Sequence, residues 1–261
     1  MAATQALTIR QIWSQGLTTV GTWCLIPSSL SAEIVARFGF DWVIVDMQHA
    51  LIDFETAAAM LQGISTTGAA PFIRVPFNES WLINKALDAG AQGVVVPLVN
   101  TRAEAERAAA ACRYPPDGRR SFGPIRAAPL IGPSPERCNE EVLCLVMIES
   151  REALENLEEI CSTPGVDGVY VGPNDLGLSL GVTLDMTTGD WPVLENFVEI
   201  CRRHGVAAGV DCGSGAVARK SLEAGFTGVT IGSDGDFLAQ AAAEAVGAVR
   251  GRDAAAPRPS A

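Results

Sequence analysis

The segment DWVIVDMQHA places an aspartate and a histidine directly after an apolar run. Trp42 to Val45 are apolar and partly β-branched, as in a buried strand, and Asp46 and His49 follow them. The chain has only two histidines, and His49 is the one that lies where a predicted strand ends. An aspartate that orients an imidazole is the arrangement of a general base. A structural histidine bonded to the loop backbone is the alternative interpretation.

Two later apolar runs also end at carboxylates. VLCLVMI leads to Glu149, and GVYV leads through Gly172, Pro173 and Asn174 to Asp175. Two carboxylates that face one space repel each other unless a cation or a shared proton compensates. Two hard oxygen ligands without a histidine or cysteine cluster suit Mg²⁺ or Mn²⁺. Alternatively, each carboxylate caps the N-terminus of the helix that follows it.

Arg74 and Trp23 also lie near the ends of predicted strands. Arg74 lies near the end of the segment PFIRV, where it can pair with an acid, hold a carboxylate or stabilise an enolate. Asp211 ends a later apolar run and belongs to the same set of strand-end side chains. Lys85 and Lys220 both fall in predicted helices. A Schiff-base mechanism therefore lacks its nucleophile.

A repeated unit of helix, glycine, short turn and apolar run must position these residues. Gly90, Gly165 and Gly225 each precede such a run by a few residues. Each glycine fits the left-handed position that ends a helix, and each run fits a strand buried on both faces. The pattern predicts alternating strands and helices with a parallel sheet.

The sequence predicts eight strands in one domain over residues 1–250. We expect them near 19–25, 41–46, 71–75, 93–97, 142–148, 167–171, 206–210 and 227–231. Eight strands alternating with helices favour a (β/α)8 TIM barrel, whose catalytic groups stand at the carboxyl ends of the strands. A G-x-G-x-x-G motif after the first strand and a P-loop are both missing, which disfavours open nucleotide-binding sheets. The tail at 251–261 is poor in apolar residues and is predicted to be disordered.

Helix-start signals and one unusual connection complete the pattern. Thr101 and Glu104 form a capping box, Asn78 is predicted to cap a helix that ends near Asp88, and a serine at 29 or 31 is predicted to cap a helix that ends at 38.

Residues 113–139 are rich in proline and arginine and predict a long loop. Four of its arginines, at 113, 119, 120 and 126, can read a second substrate carboxylate or form interface ion pairs. We favour the interface.

Composition excludes several classes of function. Nineteen basic and thirty acidic residues give a net charge of −11, which argues against nucleic acids and anionic membrane surfaces as partners. No apolar run is long enough to span a bilayer, and the first residues lack the apolar core of a signal peptide. The seven cysteines form no C-x-x-C pair, which suits free thiols in a reducing cytoplasm.

Several ordered motifs together give the chain a resemblance to a known family. They are G-x-W-x-x-x-x-S-S at 21–29, D-x-x-H at 46–49, Arg74, R-Y-P-P-x-G-x-R at 113–120, I-E-x-R-E-A at 148–153 and V-D-G-V-x-x-G-P-x-D-L at 166–176. Over residues 17–240 the chain resembles the HpcH/HpaI family of class II, metal-dependent pyruvate aldolases, typified by 4-hydroxy-2-oxoheptanedioate aldolase.

The resemblance implies a role for each strand-end residue. Glu149 and Asp175 are the implied ligands of a divalent metal ion, Mg²⁺, Mn²⁺ or Co²⁺, which a 2-oxo acid chelates. Arg74 is implied to stabilise the enolate oxygen, and His49, held by Asp46, to act as the acid–base group through a water molecule. The implied substrate-binding residues are Trp23, Gln48, Gly172, Pro173 and Asn174.

The implied activity is reversible aldol cleavage of a 4-hydroxy-2-oxo acid to pyruvate and an aldehyde, through an enolate that the metal ion stabilises. The implied assembly is a homohexamer, a trimer of dimers, whose barrels exchange the C-terminal helix. An oxaloacetate decarboxylase, an acyl-CoA lyase and a catalytically weak ligand-binding barrel are the alternatives. Two residues depart from the family pattern: Gln48 replaces a common glutamate, and Met147 stands where several relatives have glutamine.

Overall fold

The computed structural model describes residues 7–184 and 191–250. Eight parallel strands form a closed barrel in sequential order, and this confirms the predicted (β/α)8 fold. The predicted tail at 251–261 lies outside the described residues. The strands are β1 (Thr19–Cys24), β2 (Trp42–Asp46), β3 (Ala70–Arg74), β4 (Gly93–Val96), β5 (Leu143–Ile148), β6 (Gly168–Val171), β7 (Ala207–Cys212) and β8 (Gly228–Ser233).

Helices connect the strands and cover the outside of the barrel. A 3-10 turn at Pro192–Leu194 precedes the eleventh α-helix. The α-helices are α1 (Ile9–Ser14), α2 (Ser29–Ala36), α3 (Phe54–Ile64), α4 (Ser80–Asp88), α5 (Arg102–Cys112), α6 (Ala127–Leu130), α7 (Pro135–Glu141), α8 (Arg151–Glu155), α9 (Leu157–Cys161), α10 (Pro173–Leu180), α11 (Phe197–His204), α12 (Gly215–Glu223) and α13 (Asp234–Arg250).

Large aromatic side chains fill the barrel interior because glycines stand beside them on the next strand. The register pairs Gly21 with Trp42, and a β-carbon at Gly21 would lie 2.7 Å from the indole ring. Phe72 faces Gly93 in the same way, with a β-carbon clash at 2.3 Å. Protein interiors are close-packed, so the rings fit only because these glycines have no side chain there. The result is a rigid floor beneath the carboxyl ends of the strands.

Glycine positions and one capping box match the sequence pattern. Gly90, Gly165 and Gly225 have φ values of 98°, 88° and 100°, as expected for residues that follow a helix end. Thr101 accepts a hydrogen bond from the backbone of Glu104, and the Glu104 carboxylate accepts one from the backbone of Thr101. The repeating helix–glycine–strand unit and the capping box are therefore confirmed.

Two predicted helix caps are wrong. Helix α4 begins at Ser80 after Glu79, and the Asn78 amide instead donates to the backbone oxygen of Glu104 at 2.9 Å. This bond joins the starts of α4 and α5, a long-range contact that local spacing cannot reveal. Helix α2 is capped by Ser28, whose hydroxyl accepts from the backbone of Ser31, and it ends at 36.

The segment 113–139 is not the irregular loop that was expected, since it contains α6 and α7. Arg113 forms a 2.6 Å ion pair with Asp167, and Arg120 forms one of 2.7 Å with Asp88. Arg126 donates to the backbone oxygen of Ala89. The predicted interface or substrate roles are wrong for Arg113 and Arg120, because both are buried in pairs within the chain. Arg119 is exposed, and its role stays a prediction.

All seven cysteines lie among the described residues as buried free thiols, in agreement with the sequence pattern. Within 7–184 and 191–250, no helix is long and apolar enough to cross a membrane. A location in the cytoplasm stays a prediction.

Candidate active site

A cavity of about 880 Å³ opens at the carboxyl ends of the strands. A larger cavity of about 1120 Å³ lies at the other end, beside α1, but catalytic groups of such barrels stand at the carboxyl end. Eight of the predicted site residues line the carboxyl-end cavity: Trp23, Asp46, His49, Arg74, Gly172, Pro173, Asn174 and Asp175.

Arg74 and Asp46 form a two-pronged ion pair at the base of this cavity. Strand register sets Asp46 directly beside Arg74 on the neighbouring strand. The guanidinium Nε and Nη2 donate to the two carboxylate oxygens at 2.8 and 2.6 Å. The Asp46 side chain is fully buried, so its charge depends on this partner. Nη1 of Arg74 is left for a ligand in the cavity.

Asp46 holds the loop that carries His49, but it does so through the backbone. Its Oδ1 accepts hydrogen bonds from the backbone N–H groups of Gln48 at 2.9 Å and His49 at 3.4 Å. The predicted contact between Asp46 and the imidazole is wrong, because Arg74 and these backbone donors occupy the carboxylate. The His49 side chain is exposed and borders the cavity.

Gln48 does not reach the cavity. Its side-chain oxygen is buried and has no hydrogen-bond partner among the described residues. The loop turns its side chain into the protein while its backbone donates to Asp46. Gln48 does not line the cavity in this structure, and a contact between Gln48 and substrate stays a prediction.

Glu149 is a buried carboxylate with one oxygen fixed and one left over. Oε1 accepts a hydrogen bond of 2.6 Å from the backbone of Leu98, a residue with the unusual φ of 56°. Oε2 is buried without a hydrogen-bond partner among the described residues. Burial raises the pKa of Glu149; the Leu98 N–H opposes this, and nearby Asp175 raises the pKa further.

This arrangement fits a divalent cation. An unpartnered carboxylate oxygen beside a second carboxylate lacks the positive charge that would compensate both. Gly172 leaves room there, since a β-carbon would lie 3.1 Å from Oε2 of Glu149 and 3.0 Å from Met147. No group of three or more histidine, cysteine or acidic side chains suited to a metal occurs within the described part of the chain. Water and substrate oxygens would complete the coordination, as Mg²⁺ prefers.

The first turn of α10 borders the same space. Gly172 is the N-cap residue, Pro173 occupies the first helical position, and Asp175 lies in the first turn. The backbone N–H groups of Asn174 and Asp175 have no carbonyl partner within a helix turn at this position. They favour an anion, such as a carboxylate group, at the helix N-terminus.

Trp23 connects the Arg74 side of the cavity to the opposite wall. Its ring lies 4.5 Å from the Arg74 guanidinium carbon. Its Nε1 donates to Asp211 at 2.9 Å and to Thr230 at 3.0 Å. The Thr230 hydroxyl also donates to Asp211, and it shares a 2.5 Å hydrogen bond with Tyr170. Trp23 is thus a cavity wall, as the resemblance implies, and also an anchor for Arg74.

Some residues of the cavity had no predicted role. The strand-end pattern includes Asp211. Burial raises the pKa of Asp211, and the hydrogen bonds from Thr230 and Trp23 oppose that rise. Asp236 also lines the cavity, and it lies in the first turn of α13, which begins at Asp234. Met147 lines the cavity, consistent with a less polar wall at that position.

Replacement of Arg74 by methionine should lower the free energy of unfolding by about 3–5 kcal/mol, because it leaves the buried Asp46 carboxylate without its cation. Urea unfolding of the purified variant measures this loss. Arg37→Met is the control, since Arg37 pairs with Glu33 on the surface of α2 and should matter little. Equal stability of the two variants would contradict the importance of the Asp46–Arg74 pair.

Comparisons with known proteins agree with this geometry. Residues 20–241 match the model of the HpcH/HpaI aldolase/citrate lyase family. The chain is 42% identical over 246 residues to a hydroxypyruvate/pyruvate aldolase of Rhizorhabdus wittichii, covering 93% of this chain and 98% of the relative. It is 35% identical over 239 residues to a 2-dehydro-3,6-dideoxy-6-sulfogluconate aldolase of Pseudomonas putida, covering 90% and 94%.

A solved structure extends the agreement to the fold. An HpcH/HpaI aldolase/citrate lyase family protein from Burkholderia cenocepacia J2315 superimposes with a TM-score of 0.84 at 32% identity, covering 93% of this chain and 98% of that one. The relatives are aldolases, which cleave carbon–carbon bonds. The chain therefore belongs to the HpcH/HpaI aldolase/citrate lyase family and is a carbon–carbon lyase.

Proposed function

We propose that the chain catalyses reversible aldol cleavage of a 4-hydroxy-2-oxo acid to pyruvate or a related 2-oxo acid and an aldehyde. The observation that carries this proposal is the buried, unpartnered Oε2 of Glu149 beside Asp175 at the carboxyl end of the barrel. The similarity to a hydroxypyruvate/pyruvate aldolase supports a 2-oxo acid as the product that the site holds.

Glu149 and Asp175 would hold a divalent metal ion, Mg²⁺, Mn²⁺ or Co²⁺. When bound, the ion supplies positive charge beside the oxygen on which electrons collect as the C3–C4 bond breaks. Arg74 adds a second positive group, since its Nη1 is free of the Asp46 pair. The N–H groups of Asn174 and Asp175 bind the substrate carboxylate at the start of α10. The substrate carboxylate and the adjacent 2-oxo group are thereby fixed before the bond breaks.

His49 takes the proton of the 4-hydroxyl group. Its side chain borders the cavity, and its backbone is tied to Asp46. Removal of this proton lets the oxygen form the aldehyde carbonyl while the electrons of the C3–C4 bond move to the 2-oxo oxygen. Because no carboxylate fixes the imidazole directly, a water molecule between His49 and the hydroxyl suits the geometry. The proton taken from the hydroxyl then passes to C3 of the enolate and gives the 2-oxo acid. In the reverse direction the same group removes a proton from C3 and returns it to the oxygen of the aldehyde.

Exchange of the pyruvate methyl protons in D₂O should require a divalent metal ion and both carboxylates. Protein treated with EDTA should show no exchange by NMR, and Mg²⁺, Mn²⁺ or Co²⁺ should restore it. Glu149→Gln and Asp175→Asn should lower the restored rate at least about 10²-fold, because each removes a charged ligand. Glu155→Gln, an exposed site on α8, is the control. Metal-independent exchange would refute the proposed mechanism, and no exchange at all would favour an acyl-CoA lyase or a binding barrel.

Replacement of His49 by alanine should slow aldol cleavage by about 10²–10⁴-fold, the usual contribution of a general base. The dissociation constant of pyruvate, measured by titration calorimetry in the presence of metal, should change less than about threefold. His204→Ala is the control, since His204 lies at the end of α11, outside the cavity, and pairs with Glu158 of α9. An unchanged cleavage rate would make His49 a structural residue.

We also propose a homohexamer, a trimer of dimers, in which α13 is exchanged between barrels. An apolar groove of about 690 Å³ lies between α2 and α13, and Leu30, Phe38 and Leu238 are exposed at it. Large exposed apolar patches mark surfaces that another molecule covers. A second copy is the natural occupant, because most soluble oligomers are symmetric assemblies of one chain.

Sedimentation analysis should give the mass of six chains for the wild-type protein. Phe38→Glu together with Leu238→Glu should reduce this mass, because two charges would be buried at the interface. Ile125→Glu places a charge at an exposed apolar residue outside the groove and is the control. A wild-type monomer would refute the assembly.

A further inference from the structure

We propose that Asp211 is a specificity-determining residue that selects an uncharged, hydroxyl-bearing aldehyde over one that carries a carboxylate. The proposal rests on the aldolase function proposed above and concerns its second product. Asp211 is the penultimate residue of β7 and lines the cavity, and neither the fold nor the metal site requires an acid there.

The two side-chain hydrogen bonds to Asp211 fall on the same oxygen. Trp23 donates to Oδ1 at 2.9 Å and Thr230 donates to the same atom at 2.6 Å. Two donors on one oxygen fix the orientation of the carboxyl group. Oδ2 is therefore the atom that the cavity can use. A carboxyl oxygen held in this way is a preorganised acceptor for a hydroxyl group.

The cavity divides into two parts with different chemistry. Glu149, Asp175, Arg74 and the start of α10 lie toward β3, β5 and β6 and are engaged by the 2-oxo acid. The other wall comes from the ends of β1, β2, β7 and β8. It consists of Leu25, Ala50, Leu51, Asp211, Cys212, Gly213, Gly232, Ser233 and Asp236. The remainder of the substrate, which becomes the aldehyde, meets this second wall.

The second wall presents mainly acceptors. Asp211 and Asp236 are its acidic residues, and His49, which lines the same cavity beside Ala50 and Leu51, is engaged with the 4-hydroxyl group in the proposed reaction. Arg74, the arginine of the cavity, is already paired with Asp46. A substrate hydroxyl can donate to Asp211. A substrate carboxylate would meet a like charge, or would force proton uptake, and both cost free energy.

A structural role for Asp211 makes a different prediction from a selective one. If the residue only anchors Trp23, any acceptor at this position is sufficient, and asparagine supplies one. If the residue discriminates among aldehydes, asparagine must change the preference because it removes the negative charge. Asp211→Asn therefore separates the two roles while keeping the hydrogen bonds to Trp23 and Thr230.

The experiment compares glycolaldehyde with glyoxylate as partners for pyruvate in the direction of aldol addition. The two aldehydes have the same number of carbons and differ in a hydroxymethyl group against a carboxylate. We expect kcat/KM of the wild type to favour glycolaldehyde by at least about tenfold, equivalent to 1.4 kcal/mol. Acetaldehyde, which lacks the hydroxyl, should also be poorer than glycolaldehyde. Asp211→Asn should reduce the ratio of glycolaldehyde to glyoxylate about tenfold.

Glu199→Gln on the surface of α11 removes the same charge far from the cavity and should leave the ratio unchanged. Aldehyde hydration is the same for every variant, so the change in the ratio is the readout. An unchanged ratio in Asp211→Asn would make Asp211 an anchor only and overturn the proposal. A wild-type preference for glyoxylate would overturn it even if the variant does not fold.

Pyruvate proton exchange in D₂O, run in parallel, separates this proposal from the function on which it rests. Metal-dependent exchange together with a preference for glyoxylate would refute the role of Asp211 and leave the aldolase mechanism standing. Loss of exchange in the wild type would refute the mechanism itself. In Glu199→Gln, exchange should match the wild type, because the charge that is removed lies on the surface of α11 and far from the cavity.

Discussion

The buried ion pair between Asp46 and Arg74 is the constraint on which the site depends. A carboxylate with no exposed surface is stable in its charged form only with a well-placed cation and further hydrogen bonds. The parallel register of β2 and β3 places the Arg74 guanidinium beside the Asp46 carboxylate. The backbone of the following loop supplies the remaining donors. One side chain thus fixes both the direction of Arg74 and the start of the loop that ends at His49.

The orientation of Arg74 is reinforced from its open face. Trp23 packs against the guanidinium group and is itself held by Asp211 and Thr230. Thr230 shares a hydrogen bond with Tyr170, whose ring stands in the barrel interior opposite Gly209. Contacts from β1, β6, β7 and β8 therefore converge on a residue of β3. A cation stabilises the negative charge that develops in a transition state best when its orientation is already fixed, and these contacts fix the orientation of Arg74.

The architecture was predictable because its signals are local. Buried strands appear as short apolar runs, and left-handed glycines such as Gly90 and Gly165 mark the helix ends before them. A barrel brings its strand ends to one mouth, so the sequence alone groups Glu149 with Asp175. Their side-chain geometry and the second wall of the cavity required the structure.

The errors share one physical cause, which is competition from distant partners. Asp46 lies three residues from His49, but the sheet places Arg74 closer to its carboxylate. Asn78 stands just before a helix, but the backbone of Glu104 takes its amide. Arg113 and Arg120 lie in a proline-rich segment, but each forms a buried ion pair with a distant acid. Asp167 is 54 positions from Arg113, and Asp88 is 32 positions from Arg120. Sequence spacing predicts which groups are able to pair, while packing decides which of them do.

The surroundings of Glu149 support the proposed cation site over passive binding. Its Oε1 is held by the N–H of Leu98, whose left-handed backbone costs about 1–2 kcal/mol in a residue other than glycine. Its Oε2 is buried with no donor among the described residues, and an unsatisfied charged group costs more than the about 1–3 kcal/mol of a neutral one. Both costs fall at one side chain, and a bound cation would remove the larger of them. A protein that only bound a neutral ligand would be more stable with an apolar residue at this position.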